Sequence, residues 1–95
     1  MAAVIARVEI HSGTWQDYST LHAAMEREGF SRKVFANDGQ WYNLPTGTYA
    51  HLSVASTAEG RDRASRAAAQ TGRGYETFVG GWEGTWNSFG LSRAA

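Results

Sequence analysis

Val4, Ala6, Val8 and Ile10 alternate with Arg7, Glu9 and His11 along residues 3–11. Side chains two apart on a strand share a face, so this pattern predicts a strand with one buried and one wet side. Ser12-Gly13-Thr14 breaks it, and Thr14 with Asp17 forms a capping arrangement for a helix. Trp15, Tyr18, Leu21, His22 and Met25 then recur at helical spacing to about Glu28, with Gly29 where a left-handed terminator is wanted. Residues 30–36 predict a second strand. Asn37-Asp38-Gly39 marks a hairpin, because Asp-Gly supplies the positive φ a tight turn requires. The return strand over residues 40–44 is interrupted at Pro45-Thr46-Gly47. A longer strand follows over residues 48–55. Ser56 and Glu59 make a capping box for a second helix to about Thr71. Its sheet-facing stripe is Gly60, Ala64, Ala67, Ala68 and Thr71, small enough to let helix and sheet lie close. Gly72-Arg73-Gly74 ends it, and residues 75–79 predict the last strand.

The order β-α-β-β-α-β is that of a ferredoxin-like sandwich of the α+β class. It predicts a four-stranded antiparallel sheet with two helices on one face. The first and third long strands are then central neighbours. In the third, Tyr49, His51 and Ser53 alternate with Ala50, Leu52 and Val54. Taking the polar set as the wet one places Arg7, Glu9, His11, Tyr49 and His51 together on the open face. Residues 1–80 form the domain, and 81–95 an aromatic, Gly-rich tail that packs on it or on a partner.

The chain has 95 residues and balances nine basic against nine acidic side chains, so no overall field points to a polyanion or a membrane. It has no cysteine, which excludes a disulfide framework, a thiol nucleophile and a cysteine-built metal site. Residues 1–6 lack the basic start of a secretory signal, and no apolar run nears the roughly 20 residues of a membrane helix. A cytoplasmic protein is expected, monomeric or homodimeric.

The open-face set suits metal-independent phosphodiester cleavage. Histidines such as His11 and His51 titrate where a general base and a general acid are needed. Arg7 offers a fork for the phosphorane charge, and Tyr49 could stack a base. An ordinary wet sheet face carries the same residue types. His22 lies toward the buried stripe of its helix. It reads as a boundary histidine, or as a phosphate-contacting group reaching past the helix edge. Arg63, Arg66 and Arg73 form a basic ridge that could follow an RNA backbone, though with Glu59 and Asp62 beside it such a ridge is more often a solvated outer face. Arg32 and Lys33 invite the same caution. Trp82, Trp86 and Phe89 are four and then three apart, as in a helical turn closing the sheet or a partner interface. The three histidines lack metal-ligand spacing, and neither a metal nor another cofactor is expected.

The stretch Tyr18-Ser-Thr-Leu-His-Ala-Ala-Met-Glu-Arg-Glu-Gly-Phe30, then Asn37-Asp38-Gly39 and Tyr42-Asn43-Leu44-Pro45, resembles the GhoS-type antitoxins of type V toxin–antitoxin systems. The likeness spans most of residues 3–80. It implies a small ferredoxin-like protein acting as an endoribonuclease on the messenger of a membrane toxin. On that likeness Glu9 stands where the family has Asp, and His22 where it has a basic helix residue, Arg. The expectation is an RNA-binding, antitoxin-like protein with metal-independent cleavage of single-stranded messenger RNA as its activity. The alternatives are a non-catalytic protein-binding module, such as a phage-encoded inhibitor of host defence, and a small dimeric enzyme.

Overall fold

In the computed structural model, residues 2–82 and 87–94 are described. The elements are β1 (Ala2–Ile10), α1 (Trp15–Arg27), β2 (Lys33–Phe35), β3 (Trp41–Asn43), β4 (Thr48–Val54), α2 (Thr57–Ala69) and β5 (Tyr75–Gly81). Both helices begin where the caps predict. Asp17 N–H donates to Thr14 Oγ1 at 3.2 Å while Thr14 N–H donates to Asp17 Oδ2 at 2.9 Å. Ser56 Oγ accepts from Glu59 N–H at 3.1 Å, but the expected box is not closed, because the Glu59 carboxylate takes the N–H of Ala55 at 2.6 Å and not that of Ser56. α1 ends in a Schellman motif: Gly29 has φ +92°, Gly29 N–H donates to Glu26 O and Phe30 N–H to Met25 O.

The protein is α+β, with β1 central and antiparallel to β4 on one side and β5 on the other. Val4, Ala6, Val8 and Ile10 are buried against Leu21, Ala24 and Met25 of α1 and Ala64, Ala67 and Ala68 of α2. The small stripe on α2 works as its sequence suggests. A Cβ on Gly60 would come within 3.1 Å of Val4 Cγ2.

Among the described residues the expected four-stranded sheet is not formed; the main sheet has three strands, and β2 and β3 make a separate two-stranded hairpin. The segment after α1 joins the β4 ladder through a single bridge, Ser31 with Ala50, with bonds of 2.8 and 2.9 Å. Ser31 Oγ then accepts the Lys33 N–H at 3.0 Å, capping the chain locally instead of continuing the ladder. Beyond it, the Asp-Gly turn dictates pairing. Gly39 has φ +81°, and Asp38 holds Gln40 N–H at 2.9 Å and the Tyr42 hydroxyl at 2.7 Å. Lys33 pairs with Asn43 and Phe35 with Trp41.

The described part of the tail packs on the domain. Trp82 N–H donates to Ala3 O, Asn43 N–H to Ser92 O and Ala94 N–H to Trp41 O. It crosses the side of the sheet away from the helices, where Trp82 and Leu91 line an apolar cleft of about 280 Å³ with Ile5, Val34, Leu44 and Pro45, while Phe89 at its mouth is fully exposed and in no helical turn, so the packing expected of it is not made. Trp86 lies outside the described residues.

Candidate functional site

The face expected to gather the site residues divides in two. Ala6 pairs with Tyr49 and Val4 with His51, which puts Tyr49 and His51 on the helix-covered side, while Arg7 pairs with Thr48 on the open side. The register is thus one residue away from the expected frame, and a one-residue shift exchanges every side chain between faces. Burial decided it. Tyr49 fills the core with no exposed surface, whereas Leu52 is left 70% exposed. A bulge between His51 and Val54 then returns Val54 to the core.

His11 and His51 therefore cannot act as an acid–base pair. They lie on opposite faces, and His51 stands beside Val4, seven residues along β1 from His11, roughly 23 Å at strand rise. His51 packs edge-on against Phe30, with ring centroids 5.1 Å apart, and its Nδ1 accepts from Ser53 N–H. His11 sits at the far end, 3.6 Å from Glu76. Glu9 is opposite Glu76, and Arg7 is opposite Phe78, with its Nη1 donating to Thr46 O at 3.1 Å. These open-face groups form a loose wet surface. They do not converge on one point.

The basic ridge is also engaged. Arg66 binds Glu28 at 3.0 Å, Arg63 lies 3.8 Å from Glu28 and 3.7 Å from Glu59, and Arg73 pairs with Asp17. Hydrogen bonding from Arg66 holds the Glu28 carboxyl below its usual range, and the Thr14 backbone bond does the same for Asp17. These arginines tie α2 to α1 and its ends.

What the fold does bring together surrounds His22. From the third turn of α1 its Nδ1 lies 2.6 Å from the Tyr49 hydroxyl. Burial pushes that hydroxyl far above the normal tyrosine range, so it stays protonated. Its proton needs an acceptor, and among the described residues His22 Nδ1 is the one within reach. His22 is consequently neutral, with its remaining proton on Nε2. Burial, and secondarily the Arg32 guanidinium, keeps His22 below the ordinary histidine range.

His22 lines a cleft of about 380 Å³ with Glu26, Arg32, Lys33 and Asn43. Two of these are cations, and among the described residues neither Arg32 nor Lys33 is ion-paired. Glu26 supplies one carboxylate at the rim. The arrangement offers an anion two positive groups and a neutral N–H donor. Arg32 and Lys33 carry a signal in the sequence, two adjacent cations, but which element they lie beside is set by the turn at Ser31. Asn43 has no such signal, since its place depends on hairpin register. Among the described residues no group of three or more His, Asp or Glu could hold a metal, and no helix is long and apolar enough to cross a membrane. Neither known protein-family models nor curated proteins match this chain.

Proposed function

We propose that this protein binds single-stranded RNA, in the manner of an antitoxin, by seating a backbone phosphate in the His22 cleft. The observation that carries this reading is the part-buried Tyr49–His22 hydrogen bond, which leaves Nε2–H as the free donor of a histidine that lines one cleft with Arg32 and Lys33. Arginine supplies a planar fork for phosphate oxygens, lysine a point charge, and the neutral imidazole a directional donor. Glu26 at the rim disfavours a second phosphate close by, which suits a spaced single strand better than a free polyphosphate. The resemblance to GhoS-type antitoxins points to the same ligand.

Cleavage places a further demand on the site. In the tautomer that satisfies Tyr49, His22 Nε2 donates, so it must exchange its proton before serving as a general base. Binding is therefore the function this geometry supports best.

The test incubates purified protein with a labelled single-stranded RNA pool in EDTA, following retention and product together. Retention is expected, weakened by Arg32→Ala and His22→Ala. The slope of log affinity against log salt should fall by about 0.7 for each phosphate that a variant no longer neutralises. An RNA pool that is neither retained nor cut refutes the proposal. Products that form in EDTA and vanish in His22→Ala add cleavage to it. A second reading, a protein-docking module, is favoured by Leu52 and Phe78, which are 70% and 76% exposed on the sheet. A protein that co-purifies stoichiometrically with an RNA-inert chain selects it.

A further inference from the structure

The hairpin beyond the cleft carries two aromatic rings in an unusual position. Phe35 and Trp41 are cross-strand partners, with ring centroids 5.2 Å apart and planes inclined at 60°. They remain 55% and 50% exposed. Pairing across an antiparallel ladder accounts for the ring contact. It does not account for half of each ring being left in water. Two pairs nearer the domain, on the same hairpin face, stand Lys33 and Asn43, both of which line the His22 cleft. Trp41 lines a second hollow, about 390 Å³, that shares Ser31 and Lys33 with the first. The cleft and the aromatic pair are thus one continuous surface with Lys33 at the join.

We infer that Phe35 and Trp41 form a stacking platform for nucleobases of the RNA strand whose phosphate occupies the His22–Arg32–Lys33 cleft. This rests on the RNA-binding reading and adds what that reading lacks, a means of preferring unpaired bases. A duplex hides its base faces, whereas a single strand can turn a base onto an aromatic ring while its backbone follows the adjacent cations. The charge order fits. Cations lie at the cleft where the backbone would run, and the exposed rings lie two residue pairs further out, on the same hairpin face. The platform is held in place before any ligand arrives. Asp38 fastens Tyr42 across the turn at 2.7 Å, Arg93 reaches Gln40 at 2.6 Å, and the tail bonds to the free edge of β3. A ring on a rigid hairpin loses little freedom on stacking.

Fluorescence anisotropy with three labelled probes tests this: an eight-nucleotide single-stranded RNA, a ribose-phosphate strand of equal length lacking bases, and a blunt RNA duplex. The wild type is expected to favour the base-bearing single strand. Trp41→Ala and Phe35→Ala should each weaken that binding by about 5- to 160-fold, the range for removal of one base stack, and leave the base-free strand unaffected. Trp41→Phe keeps a ring in place and should retain most of the affinity, which separates stacking from damage to the hairpin. Arg32→Ala should weaken binding of both single strands alike. If Trp41→Ala and Phe35→Ala bind the base-bearing strand as the wild type does, the platform is overturned, while sensitivity to Arg32→Ala leaves the cleft reading intact. If the wild type binds none of the three probes, the cleft reading falls and the platform with it.

Discussion

The Tyr49–His22 bond makes a sharp prediction for Tyr49→Phe, a substitution that deletes one oxygen and keeps the buried ring. The hydroxyl lies in a residue with no exposed surface and donates to a half-buried imidazole at 2.6 Å. Losing such a bond costs about 1 kcal/mol, and leaving Nδ1 partly desolvated without a donor costs about 1 kcal/mol more. For a domain of this length each kcal/mol lowers Tm by roughly 4–8 °C, so the expected fall is about 10 °C. Urea denaturation of Tyr49→Phe, His22→Leu and the double variant isolates the pair. Removing both polar partners together should cost less than the two single changes added, with a coupling of about 1 kcal/mol. A Tyr49→Phe protein as stable as the wild type, or a coupling below about 0.3 kcal/mol, refutes the reasoning. RNA affinity should fall as well, because the ring is no longer held in the tautomer that presents Nε2–H.

The same histidine gives a pH dependence. His22 titrates below the ordinary histidine range when folded, so the unfolded chain takes up its proton first and stability declines as pH drops below about 6.5. Urea midpoints between pH 7.5 and 5.5 should show this decline in the wild type and a flatter profile in His22→Gln; parallel profiles would assign the effect elsewhere. Glu28 works in the opposite sense. Its folded carboxyl titrates below the unfolded value, so its contribution is present above the carboxylate range and is lost as pH falls through it. Glu28→Gln should cost about 0.5 kcal/mol at pH 7 and distinctly less near pH 3, measured by denaturation at both. Gly29→Ala and Gly39→Ala form a matched pair. Both positions have positive φ, but a Cβ at Gly29 would lie 2.5 Å from His51 Nε2, while at Gly39 it meets nothing within 4 Å. Gly39→Ala should cost about 1–2 kcal/mol from conformation alone, and Gly29→Ala distinctly more. Equal costs in thermal unfolding would mean that His51 is free to move aside.

Much of this molecule is written locally. The β1 alternation, the caps at Thr14 and Ser56, the Gly29 terminator, the Asp38-Gly39 turn and the small stripe of α2 each follow from a few neighbouring residues and are formed as their chemistry suggests. Local patterns cannot choose between equivalent frames. In β4 the alternation Tyr-Ala-His-Leu-Ser-Val admits two facings, and the polar-outward choice is reversed because the Tyr49 ring fills core space and its hydroxyl has His22 to meet. That reversal dissolves the open-face histidine pair. In its place stands a site built from residues 27 positions apart along the chain. Local signals likewise place two strands around the turn. Whether they extend the main sheet depends on Ser31, which pairs once with Ala50 and then caps Lys33. Which elements form was legible in the residues alone, since capping, turn chemistry and hydrophobic period act within a few positions. Which faces meet was settled by packing, because burial is decided by the partner an element lies against.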